Sequence, residues 1–444
     1  MKNLKPLVLA VTAWGAGLTG APALADETAD RIAALEAQLA ELKALVASNQ
    51  SSISQNLETI TVQAEEIEEA RPIKAGTKFT YGGYVQLDAI VSNYSEGKPP
   101  SLMDDLFVPS LIPVEPASGE SDSFSSTNIH AKTSRFHFGT KTDTDVGQIS
   151  SYIELDFILS GQGDERVSNS FSSRIRHAFL KWDYDEGKSL LAGQAWSTFF
   201  NVGALPDLID FVGPVGTVFE RQPMIRWTNG PWQFALENET TRINLPEGGT
   251  RLDDSEVIPD IVARYNGKTG DLGWSLSAIG RQLSYEERMS ASLEGESDSA
   301  FGYGLSFAGK WNLGRDDIRF MASYGSALGR YMGLNSFNDG YIDVNGDIDT
   351  IDQVGGFIAY RHYWNDQWRS NLSISASQAD NPSMDEFGAA GSLAKAYRSM
   401  HVNLNYLPAP GLQLGGELMY GSKELEDGRD GDMYRIQFAA KYAF

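Results

Sequence analysis

From Thr77 to Phe444 the chain alternates short and long connections in strict order. The short ones are "TDTDVG" (142–147), "DEGK" (185–188), "TNGP" (228–231), "YNGKTGD" (265–271), "NLGRD" (312–316), "WND" (364–366) and "LPAPG" (407–411). Their Asn-Gly, Asp-Glu-Gly and Pro-Gly pairs are the chemistry of tight reversals. The long ones lie near 95–127, 161–172, 201–218, 245–256, 286–299, 331–349, 381–394 and 424–430. Seven turns and eight loops separate sixteen segments. A soluble β-protein has no reason to sort its connections by length. A transmembrane β-barrel does, with an even number of strands, short turns on one side and long loops on the other.

The segments themselves alternate with period 2, the mark of a strand with one apolar face. "IELDFIL" sets Ile153, Leu155, Phe157 and Leu159 against Tyr152, Glu154 and Asp156. "SNLSISAS" sets Leu372, Ile374 and Ala376 against Asn371, Ser373, Ser375 and Ser377, and "HVNLNY" sets Val402, Leu404 and Tyr406 against His401, Asn403 and Asn405. The closing "YRIQFAAKYAF" sets Tyr434, Ile436, Phe438, Ala440, Tyr442 and Phe444 against Arg435, Gln437, Ala439, Lys441 and Ala443. No backbone group can stay unpaired in lipid, so such strands must close on themselves. The last strand is therefore expected to pair with the first, "KFTYGGYVQLDAIV", and the terminal Phe444 to sit in an interfacial aromatic girdle.

The N-terminus reads differently. Lys2 and Lys5, the apolar "LVLAVTAWGAGLTG" and "ALA" at 23–25 make residues 1–25 a signal peptide, with Asp26 as mature start. Without those lysines the formal charge moves from −23 to −25. So acidic a chain is not a partner for nucleic acid. With no cysteine there is neither a disulfide nor a thiolate metal site, and no metal or cofactor is expected. Over 26–71, Ile32, Leu39, Val46, Ile53, Ile60 and Ile67 are spaced by seven, with Leu35 and Leu42 on the other seam position, followed by Asn49, Asn56 and Gln63. Such heptads point to a coiled coil, the rival being a single surface helix, and Pro72 ends the pattern. The expected fold class is all-β: a 16-stranded antiparallel transmembrane β-barrel over 77–444, preceded by an N-terminal α-helical coiled coil.

Arginines lie inside the strands, where a lipid-facing position costs roughly 2–4 kcal/mol at the bilayer midplane. Parity turns Arg135, Arg226, Arg264, Arg319 and Arg361 to the lumen. Arg174 and Arg176 lie in a strand of ambiguous parity: Ile175 and Phe179 point one way, Leu180 and Trp182 the other, as a bulge would allow. Acidic partners within strands are Glu154, Asp156, Glu237, Glu239, Asp260 and Glu417. The charges either pair across the lumen or also select the solute. "DVNGDIDTID" (343–352) has the first three spacings of an EF-hand loop in Asp343, Asn345 and Asp347, but neither its sixth-place Gly nor its twelfth-place Glu, and reads as solvated. His130, His137, His177, His362 and His401 accompany no G-x-S-x-G nucleophile motif, so an enzyme is not expected.

The chain resembles the DcaP-like outer-membrane porins of Gram-negative bacteria. The carriers are the signal peptide, the heptads, "YGGYVQLDAI" (81–90), "TSRFHFGTKTD" (133–143), "RIRHAFLKWDY" (174–184), "LAGQAWSTF" (191–199), "ERQPMIRWT" (220–228) and Phe444. The resemblance implies a homotrimer of 16-stranded barrels in the bacterial outer membrane, among lipid and lipopolysaccharide, with a coiled-coil extension in the periplasm. It implies passive diffusion of small organic anions, dicarboxylates included, and a terminal Phe444 read by the barrel-assembly machinery. In general porins the third long loop folds inward. Here that loop, "NVGALPDLIDFVGPVGTV" (201–218), is apolar, and Leu205, Pro206, Asp207, Asp210 and Phe211 are the candidates for a constriction, against packing at the rim or between subunits. The rival functions are a structural protein, tethered by its coiled coil with a non-conducting barrel, and more remotely an outer-membrane hydrolase.

Overall fold

The computed structural model describes residues 37, 39–54, 76–159, 163–164, 168–253, 256–285, 297–343 and 345–444. The chain divides into two units, Met1–Ala75 and Gly76–Phe444. In the first, residues 39–54 are helical, and Leu39, Leu42, Val46 and Ile53 are exposed. The signal peptide expected over 1–25, and most of the heptads outside 39–54, fall outside the described residues.

In the second unit, seventeen segments form one antiparallel sheet. They are β1 (Lys78–Tyr94), β2 (Phe124–His130), β3 (Arg135–Thr144), β4 (Gly147–Asp156), β5 (Arg174–Asp185), β6 (Lys188–Trp196), β7 (Arg221–Asn229), β8 (Trp232–Glu237), β9 (Asp260–Thr269), β10 (Leu272–Tyr285), β11 (Asp298–Leu313), β12 (Asp316–Ser326), β13 (Asp352–Tyr363), β14 (Trp368–Asp380), β15 (Ala394–Ala409), β16 (Leu412–Leu425) and β17 (Asp430–Ala443). Strands β2 and β3 share one partner: β2 lies along the second half of β1, from Asp88↔His130, and β3 along the first half, to Tyr84↔Arg135. They are one stave interrupted at 131–134, so the barrel has sixteen staves. At the interruption Thr133 donates its hydroxyl to Asp88, and Ser134 Oγ exchanges hydrogen bonds with the Gln86 backbone. Polar groups are thus met inside the wall, as lipid requires. Strand β17 pairs with β1 from Tyr84↔Ala443 to Tyr94↔Met433 and closes the barrel. Beyond it, the Phe444 amide donates to Gly83 O at 3.1 Å.

Alternation sorts the side chains as the sequence predicts. Ile153, Ile225, Ile261, Leu305, Ile374, Leu404 and Ile436 are exposed outside, while Glu154, Gln222, Ser275, Ser306, Asn371, Asn403 and Gln437 are buried inside. Near the short turns, rings touch from stave to stave: Trp227 with Phe234, Trp232 with Tyr265, Tyr265 with Trp274, Trp274 with Phe307 and Phe307 with Phe320. That belt is an interfacial girdle. At the opposite end, four short strands (Thr241–Asn244, Thr250–Asp253, Gly340–Ile342 and Ile348–Thr350) join two long loops in a small sheet. Glu239, expected within a strand, lies in the loop beyond Glu237, where β8 ends.

A buried apolar cluster includes Met103, Phe107 and Ile112 of the first long loop, Phe199, Val212, Val215 and Phe219 of the third, and Leu328, Tyr331, Met332 and Phe337 of the sixth. Burying those side chains against one another removes them from water, which explains why loops at this end of a barrel are so apolar.

Candidate functional site: the arginine-bearing lumen

The third long loop (197–220) follows the inner wall strand by strand. The Thr198 amide donates to Glu237 on β8 at 2.7 Å, and Phe200 O accepts from Arg264 on β9 at 2.9 Å. Asn201 reaches Ser275 on β10 at 2.8 Å, and Leu205 O accepts from Arg319 on β12. Asp207 O accepts from Asn371 on β14 at 2.7 Å and from Asn403 on β15 at 2.9 Å. The amides of Ile209 and Asp210 then reach Glu417 on β16. On the return, Val215 N donates to Ser399 and Gly216 N to Ser375, both inward-facing serines. These acceptors and donors all belong to the polar inner face, so the loop lies inside the barrel and not on its outer rim. Of its candidates, Pro206 is half-buried, Asp207 and Asp210 are anchors, and Phe211 sits at the far turn of the path.

The seven candidate arginines point inward, in three groups. Arg174 and Arg176 share Asp156, at 2.7 and 2.8 Å, and Arg176 also holds Glu154 at 2.6 Å. Arg135 lies 3.5 Å from Glu154. The ambiguous parity of their strand is explained by a β-bulge: His177 pairs with Glu154 and Ile175 with the very next residue, Leu155, so Arg176 is the extra residue. Ile175 stays outside while Arg174, Arg176 and His177 all turn in. On the facing wall Arg319 and Arg361 share Asp317, and Arg361 also approaches Asp207 at 3.6 Å. Among the described residues, the remaining two form no salt bridge, although the Glu237 carboxylate acts on Arg226 from further off. Arg226 donates to Thr198 Oγ1, Trp196 O and Met224 Sδ, and Arg264 to Asn266 Oδ1 and Phe200 O. Both line one cavity of about 410 Å³ with Arg135, Tyr152, His177, Trp196 and Phe200.

Further inward arginines were absent from the predicted set. Arg369 meets Asp207 at 2.5 Å, and Arg221 lies over the Trp196 ring at 4.5 Å. Arg435 donates to Ser92, Tyr94 and Met103 O. Arg281, fully buried, spans Asp260 and Asp339 and ties the sixth loop to the wall. Parity alone finds Arg369 and Arg435, whose neighbours two residues on, Asn371 and Gln437, are polar and buried. The histidines are held structurally: His401 by Glu417, His362 by Asp316, and His137 and His177 against Tyr152. In the 343–352 segment Asp343 accepts from the amides of Asn345 and Asp347, closing its own turn.

The model of the DcaP outer membrane protein family matches residues 23–444. Among solved structures, the chain is similar to the outer membrane channel DcaP of Acinetobacter baumannii, with a TM-score of 0.66 at 21% identity over 84% of this chain and 98% of that one. OmpT of Vibrio cholerae matches with a TM-score of 0.49 at 10% identity, over 84% of this chain and 99% of that one. OmpF of Salmonella typhi matches with a TM-score of 0.47 at 10% identity, over 83% and 98%. No curated protein matches the sequence.

Proposed function

Since this chain belongs to the DcaP outer membrane protein family, we propose that it is an outer-membrane diffusion channel selecting small organic anions, dicarboxylates among them. The observation that carries the selectivity is the pair Arg226 and Arg264, which line the lumen and, among the described residues, donate only to neutral atoms. A guanidinium keeps its proton and can hold a carboxylate with two parallel hydrogen bonds. The paired arginines act differently. Asp156, Glu154, Asp317 and Asp207 offset part of their charge, so each adds less to the potential than Arg226 or Arg264. The net charge of −23 does not oppose this. Loop carboxylates outside are screened beyond about 8 Å at physiological salt, whereas charges in a narrow lumen act at short range. The third loop supplies the constriction, with Leu205, Pro206, Asp207, Asp210 and Phe211 on its rim. A reversal potential in a salt gradient across a planar bilayer tests the reading.

The rival, a non-conducting anchor, draws on the volume of loop packed within the barrel. Open-channel current from purified protein separates the two. The heptads of 26–71 serve a homotrimer: the exposed seam of Leu39, Leu42, Val46 and Ile53 would be covered by the same helix of other copies in the periplasm. Phe444, at the closing seam, serves as the assembly signal.

A further inference from the structure

The Phe211 ring lies 5.9, 5.7 and 5.2 Å from the guanidinium carbons of Arg135, Arg174 and Arg176. It projects from a loop fastened to β14 and β16 just before it. Asp207 holds Arg369, and Glu417 holds the amides of Ile209 and Asp210. The backbone around Phe211 is itself pinned, since the Asp210 carboxylate accepts from the amides of Val212 and Gly213 at 2.9 and 2.8 Å. Rotation about the side-chain bonds of Phe211 can therefore move the ring without moving the loop. The ring bridges the inner shelf of the loop and the arginine wall.

We propose that Phe211 is a specificity-determining residue: its ring seals the lane along Arg135, Arg174 and Arg176 against neutral solutes and yields to carboxylates. This rests on the reading of the protein as an anion channel. The hold on the ring is electrostatic, the face of the π system attracting guanidinium charge. Anything that neutralises the charge loosens the ring. Arg135 Nε is buried and has no hydrogen-bond partner among the described residues, so one N–H of this cluster is unspent. A carboxylate arriving there makes a charge-assisted hydrogen bond and weakens the attraction that keeps Phe211 in place. A neutral sugar brings no charge and leaves the ring where it is. The aromatic ring and the arginines thus work as one filter, with the arginines admitting the solute and Phe211 rejecting what does not engage them.

The test compares influx of a neutral pentose and of succinate into liposomes holding the full-length protein, with variants at this position. Phe211→Ala and Phe211→Leu are expected to raise pentose influx roughly threefold to tenfold and succinate influx by clearly less, so that the pentose-to-succinate ratio rises, while Phe211→Tyr keeps the parent's ratio. If Phe211→Leu, close in bulk but without a π face, excludes pentose as well as the parent does, the inference is overturned. It is equally overturned if Phe211→Ala raises both fluxes alike, or neither. Should Phe211→Ala fail to assemble, the Leu and Tyr variants decide alone. The parent's reversal potential, measured alongside, separates two failures. A cation preference defeats the anion-channel reading itself, whereas an anion preference with unchanged pentose exclusion in the variants defeats only the role of Phe211.

Discussion

The carboxylate of Glu417, on the inner wall, accepts the amide of Ile209, on the third loop, at 2.8 Å. The same carboxylate takes the amide of Asp210 at 3.2 Å, Asn403 Nδ2 at 2.9 Å and His401 Nδ1 at 3.2 Å, and is itself fully buried. Glu417→Ala leaves two backbone donors without their acceptor, at about 1–3 kcal/mol for each buried group. The expected outcome is faster hydrogen exchange over 207–213 and a noisier open-channel current in a barrel that still assembles. Glu417→Gln, which keeps one acceptor oxygen, is expected to fall between.

Gly216 fixes the return path of the loop. A Cβ there would lie 2.3 Å from Gly356 N and 2.4 Å from Ala376 O, both backbone atoms of the wall. Neither can yield, so Gly216→Val must lift the loop and break the bond from Gly216 N to Ser375. A destabilisation of about 1–3 kcal/mol is expected, as for overpacking in a core. It should appear as a lower melting temperature together with an altered single-channel conductance, with Gly388→Ala as a control at a site where a Cβ meets nothing within 4 Å.

Much of this architecture is legible in the sequence because its causes are local. Turn chemistry at pairs such as Asn229–Gly230 and alternation along each strand need no distant partner, and they delivered the staves, the closing pair and the inward arginines. What depends on remote contacts was not legible. Asp207 and Arg369 are 162 residues apart, and only the fold of the loop brings them together. Arg281 was hidden differently. Ile279 and Leu283 share its inward face because the loops fill that side of the lumen with apolar groups, and parity takes such a face for the lipid side. The interruption at 131–134 has no local signature in the sequence: side-chain bonds of Thr133 and Ser134 to Asp88 and Gln86, with backbone bonds from Ser134 to Ala131 and from Phe157 to Lys132, replace the ladder there.

Glu220, where the third loop rejoins the wall, has its carboxyl pushed up to about 7 by burial, against the pull of Arg330 and Arg221 and with Glu237 nearby. It is neutral below that pH and anionic above it. Anion preference should therefore weaken as pH rises through about 7, by a step that Glu220→Gln removes. Reversal potentials at pH 6 and pH 8 are the check, and an identical step in the Gln variant would contradict the assignment.

Deletion of 26–71 removes the exposed seam of Leu39, Leu42, Val46 and Ile53. The proposed trimer should then dissociate at a lower temperature on gels, with partial rather than complete loss, since its barrels are expected to contact one another as well. An oligomer with unchanged melting would assign the heptads to another task.

The most direct test of the account is the reversal potential of the purified channel in a salt gradient, repeated with Arg226→Glu and Arg264→Glu. Among the described residues, neither side chain forms a salt bridge with a carboxylate. The account predicts an anion preference in the parent that falls or inverts in each variant, with dicarboxylate flux falling in step. Arg319→Glu, the same charge change at an arginine already paired with Asp317, should change it less. A cation preference in the parent channel, or Arg226 and Arg264 variants with unchanged selectivity, would contradict it.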